Sequence, residues 1–474
     1  MMRTVAWLGM ATCASIVIGC TPVEGPGSPS SVVLPEDFAL QAKSPDLVAN
    51  ATIAALLPVR DPAFMALSDR ALAEAPDLAI AVARIDVARA GLRGARAALR
   101  PDIGVSAAGS RQRISAAQFG ALPPSIQIQQ YQNSFSTSVD ANWDLDLFGR
   151  LRAGQRASAA RLDAATADAA AVRLALTTDI ATAIADVREI DQRTELIGQD
   201  LQSARSLAQI TGVRARAGLV PMSDEVRAQS LEVQAQARLE SIAGERAEVI
   251  GRLVTLTGLP AQTVLAALEA PLLDAAPTRN DSIAPVIPTT VLRQRPDVLA
   301  AERRLAAADA EIAAAAAERF PTFSLTAGLG LISLALGDLL TQDAIIGSLG
   351  GAVSGPLLDF GRVGARIDQR EAEAREAFAS YRKTLFAALG ETEAALGGLR
   401  AATRNANAIA RQAELDRDAT NLARERYRRG LTNFLTVLDA ERTSLASSQA
   451  AATAFSDVSR RKVSLYRAVG GSEK

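Results

Sequence analysis

Histidine, the side chain that most often acts as a general base in enzymes, is missing from this sequence. Its absence from the 474 residues excludes His-based triads, histidine general bases and most zinc sites. No Walker loop, and no G-x-G-x-x-G after a strand, indicates a phosphate site. The formal net charge of −1 gives no reason to expect a nucleic-acid partner. Carboxylate or lysine chemistry remains possible, but no clustered motif supports it. We therefore expect no enzyme activity, no cofactor and no metal.

Covalent chemistry is predicted at Cys20. Arg3 precedes an uncharged, mostly apolar stretch that is too short for a comfortable membrane span. The stretch ends in Val17-Ile18-Gly19-Cys20, which resembles a bacterial lipobox, where the cysteine becomes the lipidated first residue. We predict a lipoprotein signal peptide over residues 1–19 and lipid attachment at Cys20. The alternative is ordinary signal cleavage beside an incidental cysteine.

The residues after Cys20 are rich in Pro, Ser and Gly, a composition typical of linkers. We predict a lipidated N-terminal tether over residues 20–62. Each buried CH₂ of an acyl chain contributes roughly 0.8 kcal/mol, so several chains would anchor firmly. Cys13 would leave with the signal peptide, so the mature chain would have no cysteine pair for a disulfide.

Motifs that recur at constant offsets predict an internal duplication. Ala75-Pro76-Asp77-Leu78 resembles Arg295-Pro296-Asp297-Val298, which lies 220 positions later (296 − 76). Phe148-Gly149-Arg150 matches Phe360-Gly361-Arg362 at an offset of 212 (360 − 148). The offset falls by 8 between these blocks (220 − 212). The sequence therefore predicts a longer loop in the first half, at Pro123-Pro124.

Alternating patterns predict two β-hairpins, one in each half. From Ser134 to Leu147, apolar residues hold one parity and mostly Ser and Asp hold the other, so the strand has one apolar and one polar face. Phe323 to Leu331 alternates in the same way. With a weaker partner strand for each, we predict hairpins over residues 103–147 and 322–357.

The length of these strands favours a membrane location. Transmembrane β-strands need roughly 9–11 residues. The alternative, a soluble sandwich, would need more strands at closer spacing. Four strands cannot close a barrel, and an open edge in lipid leaves N–H and C=O groups unsatisfied. Several chains must then share one barrel, and two, three or four copies all remain possible at this point.

Long helices fill most of the remaining chain. Few helix breakers interrupt residues 150–257 and 364–469, and we predict a helical hairpin in each, turning at Gly218 and Gly430. Within the first helix, apolar residues recur at spacings of three, four and seven, which is typical of helix packing in coiled coils. The residues of this seam are Leu176, Ile180, Ile184, Val187, Ile190, Ile197 and Leu201.

Several motifs resemble those of the outer-membrane efflux channel family typified by TolC. They are Leu292-Arg293-Gln294-Arg295-Pro296-Asp297 with Ala301-Glu302-Arg303, Phe320-Pro321, Asp359-Phe360-Gly361-Arg362, and Tyr427-Arg428-Arg429-Gly430 followed by Val437-Leu438-Asp439-Ala440. These motifs occur in the order expected for the family, and the resemblance covers most of the chain. With the lipobox, the chain resembles the lipoprotein branch, the NodT- and OprM-like channels.

The resemblance implies a mixed α/β membrane protein, mainly α, that assembles as a homotrimer. Its four strands per chain would make a 12-stranded transmembrane β-barrel, continuous with a long periplasmic α-helical barrel. Residues 63–258 would form the first efflux repeat and residues 289–474 the second, each with a helix, a β-hairpin and a helical hairpin. Residues 259–288 would form a linker at the tunnel's equatorial belt.

The resemblance also implies a location and partners. The protein would lie in the outer membrane of a Gram-negative bacterium, lipid-anchored and spanning, and extend into the periplasm. It would be a passive conduit that exports small molecules such as drugs or other toxic compounds. A periplasmic adaptor (membrane fusion protein) and an inner-membrane transporter, commonly of the resistance-nodulation-division (RND) type, would complete a tripartite system. The exported substrate does not follow from the sequence.

The resemblance also implies a gate at the periplasmic end of the helices. Asp439 falls on a constricting acidic position, and Thr436 on a second position that is acidic in TolC. Three Asp439 carboxylates around a narrow axis would repel one another and favour cations. Tyr427 and Asp224, with Ser223 nearby, fall on positions that tie adjacent helices in the closed state. The alternative for Asp439 is an ordinary solvated carboxylate.

The two helical turns match the tips that meet the adaptor in this family. Thr432 stands where TolC has a basic residue of its closed-state lock. The tip residues are Gly218, Leu219 and Val220 in the first half and Gly430, Leu431 and Thr432 in the second.

Three other classes of protein share some of these features. A periplasmic adaptor would carry a lipoyl-like β domain and only one helical hairpin. A structural coiled-coil lipoprotein would explain the packing seam but not the alternating strands. A lipid-anchored hydrolase would need a nucleophile constellation, and none is visible.

Overall fold

The structure is a computed structural model that describes residues 32–35, 37–40, 53–115, 131–270 and 289–471. The signal peptide, Cys20 and the predicted long loop at Pro123-Pro124 lie outside the described residues. The helices are α1 Pro62–Glu74, α2 Pro76–Ala97, α3 Arg150–Arg216, α4 Met222–Thr257, α5 Ala261–Leu268, α6 Pro296–Ala317, α7 Arg362–Arg428 and α8 Phe434–Ala468. The strands are β1 Asp102–Arg113, β2 Tyr131–Asp144, β3 Thr322–Ser333 and β4 Ile345–Ser354.

The chain divides into two compact units. The described residues of Asp86–Ala164 and Ala301–Tyr381 belong to one, called here the strand unit, which contains all four strands above. Most of the remaining described residues belong to the second, called here the helical unit, which contains α4, α5 and α8.

The strand unit holds one antiparallel sheet in the order β1-β2-β3-β4. The sequence predicted two hairpins, and the structure pairs β1 with β2 and β3 with β4. It also pairs β2 with β3, so that Asp140 lies opposite Gly328. The two hairpins therefore form a single four-stranded sheet, a long-range pairing that the alternation of side chains does not reveal.

The predicted strand ending at Leu147 stops earlier, because its last residues begin the next helix. β2 ends at Asp144, and Asp146 adopts a positive φ of 48°. The Asp146 carboxylate accepts hydrogen bonds from the backbone N–H groups of Leu151 (2.8 Å) and Arg152 (2.9 Å). These N–H groups have no partner inside the helix, so the carboxylate stabilises the start of α3.

The second predicted hairpin also ends early, at Ser354 instead of residue 357. The chain then turns through Phe360 and Gly361, with φ values of 52° and 90°. The Asp359 carboxylate accepts from the N–H groups of Gly361 (3.1 Å) and Val363 (3.0 Å). These bonds lower the pKa of Asp359 below its ordinary value and position the start of α7.

The helical hairpins lie close to the predicted bounds of 150–257 and 364–469. α3 and α7 each contain 67 residues, a length of about 100 Å at 1.5 Å per residue. Among the described helices, none alone combines the length and hydropathy needed to cross a membrane. α4 and α5 meet that criterion only together, and the pair is bent by 111°.

The packing seam predicted on α3 is confirmed. All seven of its apolar residues are buried, with exposed fractions of 7% or less. Its upstream part, including Ile180 and Ile184, shares a core with Phe64 and Leu67 of α1 and with Val264 of α5. The seam therefore anchors the shorter helices of the helical unit onto the long one.

Two polar clamps hold the segments before α1. Asp61 caps α1 through the Ala63 N–H (2.9 Å) and also accepts from Nε of Arg188 (2.9 Å) on α3. Upstream, within the predicted tether, the Glu393 carboxylate accepts from the N–H groups of Ala39 (2.6 Å) and Leu40 (2.7 Å). This short described part of the tether is thus bound to α7 in the helical unit.

Candidate gate at the helical turns

Each helical hairpin reverses direction at a glycine with positive φ. Gly218 has φ of 72° and Gly430 has φ of 75°, a conformation that costs other residues free energy. Matching hydrogen bonds close the two turns, from the Leu219 N–H to the Arg214 carbonyl (2.9 Å) and from the Leu431 N–H to the Arg426 carbonyl (2.8 Å). Both turns are Schellman caps, which satisfy the last carbonyls of α3 and α7.

The residues of both turns are largely open to solvent. Leu219 and Leu431 are exposed apolar side chains, while Val220 and Thr432 are partly buried. Two exposed leucines at the ends of polar helices cost free energy in water. A docking partner that covered them would recover that free energy.

Tyr427 lies in a small core beside the second turn. Its side chain is 6% exposed and packs with Ala228 of α4 and with Phe434 and Val437 of α8. The guanidinium of Arg214 stands 4.8 Å from the ring centroid, a cation–π distance. The buried hydroxyl has no hydrogen-bond partner among the described residues. An orphaned hydroxyl of this kind is costly unless a further group reaches it.

Asp224 and Ser223 stand in the first turn of α4. Asp224 is half-buried, and its nearest cation is Arg227, at 4.0 Å and one turn further on. Ser223 is exposed. The hydroxyl of Tyr427 forms no hydrogen bond to Asp224 within this chain. Their predicted role as a tie between helices stays a prediction.

Asp439 and Thr436 lie one turn apart at the start of α8, and both are exposed. Asn433 caps this helix, accepting from the N–H of Thr436 (3.0 Å) and from its hydroxyl (2.9 Å). In the single chain, Thr436 therefore takes part in the N-terminal cap of α8. The Asp439 side chain is open to solvent in the single chain.

A polar cluster between four helices was missed by the sequence analysis. Asp200 of α3 lies 3.7 Å from Arg238 of α4. Arg424 of α7 and Glu441 of α8 form a two-bond ion pair, with Nη2 and Oε2 at 2.6 Å. Asp200, Arg238 and Glu441 line a cavity of about 20 Å³, room for about one water molecule.

The cluster perturbs the titration of Asp200. Burial raises the pKa of Asp200, and the charge of Glu441 adds to the rise, while Arg238 and Arg424 oppose it. No sequence motif marks these four residues, because they come from four separate helices. Their proximity follows only from the packing of one hairpin on the other.

The motif Arg295-Pro296-Asp297 turns out to stabilise a helix end. Arg295 is 6% exposed, and its Nη1 donates to the carbonyl of Ala468 (2.7 Å), near the end of α8. Its Nη2 donates to Asp297 (2.7 Å) and Glu391 (2.8 Å). The motif thus ties α6, α7 and α8 together within the helical unit.

Comparison with known proteins settles the family. The family model described as "Outer membrane efflux protein" matches residues 67–259 and 287–471. The chain belongs to the outer-membrane efflux proteins. This efflux protein is accordingly a channel protein of the outer membrane of a Gram-negative bacterium, and it extends into the periplasm.

Individual relatives agree with this family over most of their length. The pyoverdine export outer-membrane protein OpmQ of Pseudomonas aeruginosa is 28% identical, over 86% of this chain and 85% of its own. The toluene efflux pump outer-membrane protein TtgI of Pseudomonas putida is 32% identical, over 87% and 86%. The solved structure of the outer-membrane channel OprN is 28% identical, with a TM-score of 0.83 over 95% of this chain and 99% of that one.

Proposed function

We propose that this efflux protein is the outer-membrane channel subunit of a tripartite efflux system and that it works as a passive homotrimer. The observation that carries the proposal is the family match across both halves of the chain. A periplasmic adaptor and an inner-membrane transporter, of the RND type by the family resemblance, would complete the system. The exposed leucines of the two helical turns offer the adaptor an apolar contact.

The open sheet supports the assembly of three chains around one barrel. β1 and β4 form its two edges, and both are exposed along their full length. Four strands are too few to close, and in lipid an open edge would leave its polar backbone groups unpaired. Three copies would supply twelve strands, the number that the family resemblance implies.

Equal element lengths support an internal duplication. α2 and α6 each have 22 residues, and β1 and β3 each have 12. α3 and α7 each have 67. The two efflux repeats proposed at 63–258 and 289–474, joined by the linker 259–288, would each supply one hairpin of strands and one of helices.

The gate is proposed at the start of α8. Asp439 would form an acidic ring around the trimer axis, with Thr436 beside it, since both side chains are exposed within the single chain. Tyr427 would receive a partner for its orphaned hydroxyl in the closed state, with Asp224 and Ser223 as the nearby polar groups proposed for that contact. The tips proposed to meet the adaptor are Gly218, Leu219, Val220, Gly430, Leu431 and Thr432.

An electrophysiological recording tests the gate. We expect Asp439→Ala to raise the single-channel conductance of the purified protein in a planar bilayer by roughly twofold or more, because the acidic constriction is removed. Asp418→Ala, which removes an exposed carboxylate from α7, is the matched control and should leave conductance unchanged. Equal conductance in wild type and Asp439→Ala would refute the gate assignment.

Lipid attachment at Cys20 belongs to the same proposal. Lipidation would hold the mature N-terminus at the membrane, and the hydrogen bonds of Glu393 to Ala39 and Leu40 would bind the middle of the tether to the helical unit. The cargo is proposed to be small organic molecules, the class to which pyoverdine and toluene belong. The sensitivity profile of a deletion strain tests that assignment, and an unchanged profile would count against it.

A further inference from the structure

The far end of the first β-hairpin carries two arginines and no acidic residue. Between residues 103 and 139 the only charged side chains are Arg111 and Arg113. The segment that joins β1 to β2 therefore supplies no carboxylate to neutralise them. Neither guanidinium forms an ion pair with any residue that the structure describes. The hairpin thus ends in two positive charges that its own residues do not balance.

The aromatic ring of Tyr131 brings the two arginines together. Arg113 lies directly opposite Tyr131 in the sheet, and Arg111 lies two residues earlier on the same face of β1. The Cζ atoms of Arg111 and Arg113 are 5.2 Å and 5.9 Å from the ring centroid, which are cation–π distances. A guanidinium that contacts a ring keeps N–H groups free at its edge, so both arginines can still donate to another partner.

These three side chains lie on the apolar face of the hairpin. Directly opposed residues share a face, and Val105 opposite Val139 continues the face of Arg113 and Tyr131. Val105 is 79% exposed and Val139 is 50% exposed, so the chain itself does not cover this face. The other face is polar, with the hydroxyls of Ser106 and Ser138 at 2.9 Å.

The orientation of the sheet follows from the proposed function, in which the strands cross the outer membrane. In a transmembrane barrel the apolar side chains meet lipid and the polar ones face the lumen. Arg111, Arg113 and Tyr131 then face lipid rather than the channel. An arginine on the lipid face is costly at the middle of the bilayer and tolerated only near an interface.

The length of β2 places Tyr131 at such an interface. Trp143 lies on the same face, twelve residues further along (143 − 131), which is about 40 Å at about 3.4 Å per residue. A strand tilt of about 40° reduces this to about 30 Å across the membrane, the thickness of its hydrocarbon core. Tyr and Trp are enriched at the two interfaces. Tyr131 and Trp143 therefore mark opposite interfaces, and both arginines lie beside Tyr131.

The connections of the sheet identify the interface at Tyr131 as the outer one. α2 ends before β1 at Asp102, and α3 begins after β2 ends at Asp144. The helices therefore leave the sheet at the end that carries Trp143. The protein extends into the periplasm, so the helical end is periplasmic. The opposite end, with Arg111 and Arg113, lies at the outer leaflet.

We propose that Arg111, Arg113 and Tyr131 form a binding site for an anionic, phosphorylated lipid of the outer leaflet. The guanidinium groups donate to the phosphate oxygens, a pairing that is often bidentate for arginine. Asn133, which lies opposite Arg111 and is exposed, adds an amide donor at the same depth. The acyl chains of the lipid then lie along the apolar face that continues to Val139. The site rests on the proposed membrane-spanning channel and adds a lipid ligand to it.

The second hairpin offers an internal contrast. Between residues 322 and 354 the only charged side chains are Asp338 and Asp343. Both lie near the far end of that hairpin, between β3 and β4, and both are exposed. Carboxylates repel a phosphate group, so the second hairpin does not provide an equivalent site. The lipid is therefore expected at one of the two hairpins of each chain.

Lipid titration by native mass spectrometry tests the site in the full-length protein, purified in detergent and freed of bound lipid. The probe is lipid A with both of its phosphates, a phosphorylated glycolipid of Gram-negative outer leaflets. We expect Arg111→Gln with Arg113→Gln to raise the Kd for lipid A at least about tenfold. Arg111→Lys with Arg113→Lys should give an intermediate Kd, because lysine keeps the charge but loses the forked donors.

Two matched controls separate this site from general charge effects. Arg404→Gln with Arg417→Gln removes two exposed arginines from α7 and should leave the Kd unchanged. Asp338→Asn with Asp343→Asn removes the carboxylates of the second hairpin and should not weaken binding. Helical circular dichroism and the oligomer on a mild-detergent gel establish that each variant is folded.

Each outcome supports or overturns a stated part of the proposal. An equal Kd for wild type and the folded Arg111→Gln, Arg113→Gln variant would overturn the site. Dephosphorylated lipid A that bound wild type as tightly as lipid A would overturn recognition of the phosphate. Inorganic phosphate at millimolar concentration that displaced lipid A completely would overturn the role of the acyl chains. A wild-type protein that conducts in a planar bilayer but fails these tests refutes the lipid site alone, whereas one that never conducts refutes the channel.

Discussion

At the scale of single residues, Arg295 is a side chain whose role became clear only from its partners. It caps the end of α8 by donating to the Ala468 carbonyl and is held in place by Asp297 and Glu391. Its counterpart in the first half, at an offset of 220 (295 − 220), is Ala75. There Pro76 packs close to Gly258, the cap of α4. The helices α4 and α8 therefore end by different means.

Arg295→Lys should destabilise the efflux protein by about 2 kcal/mol, because lysine cannot reproduce the forked hydrogen bonds to three acceptors. We expect a lower midpoint in thermal unfolding, followed by the helical circular dichroism signal in detergent. Arg404→Lys, at an exposed position of α7, is the control and should change stability by about 0.5 kcal/mol or less. Equal midpoints for both variants would show that the network contributes nothing.

At the scale of elements, the turns between the long helices depend on backbone conformation more than on side-chain contacts. Gly218 and Gly430 have positive φ, and a Cβ on either would meet no atom within 4 Å. Any cost of adding a side chain there is therefore the conformational cost of the left-handed region. Substitution at Gly218 or Gly430 therefore measures the cost of positive φ at the turn without a steric contribution.

Gly430→Ala should cost about 1–2 kcal/mol, because alanine resists positive φ. Hydrogen exchange of the amides on both sides of the turn should become faster, and the same is expected for Gly218→Ala. Gly198→Ala, in the middle of α3 with open space around its Cα, is the matched control. It should stabilise the helix by up to about 1 kcal/mol. If Gly430→Ala and Gly198→Ala changed the free energy of unfolding in the same direction, the positive φ at the turn would not limit stability.

At the scale of the whole molecule, the single chain leaves apolar surface uncovered on α2, where Val87 is 73% exposed. Val87→Asp should abolish the oligomer without unfolding the chain, because an unpaired carboxylate would be buried against the next copy. We expect the trimer fraction on a mild-detergent gel to fall by at least about tenfold, with helical circular dichroism unchanged. Ala83→Asp is the control, since its counterpart Arg303 on α6 is exposed. A trimer that tolerates Val87→Asp would place the interface elsewhere.

Local periodicity was sufficient to predict most of the elements. Alternation identified β2 and β3, and spacings of three and four identified the seam on α3, because side-chain direction repeats with the backbone geometry of each element. The early ends of β2 and β4 were missed for a local reason. Asp146 and Asp359 cap the helices that follow. The sequence pattern does not distinguish such a capping aspartate from a polar residue on the outer face of a strand.

The sequence alone determined the family, the motifs that recur at constant offsets and the absence of histidine, since each of these depends on residue identity and order. Only the tertiary structure decided the pairing of β2 with β3, the cluster around Asp200 and Glu441, and the helix-capping role of Arg295. These contacts join segments that are far apart in the chain, and their free energy comes from burial and geometry. The uncovered surface of α2 became visible for the same reason, because exposure is a property of the folded chain.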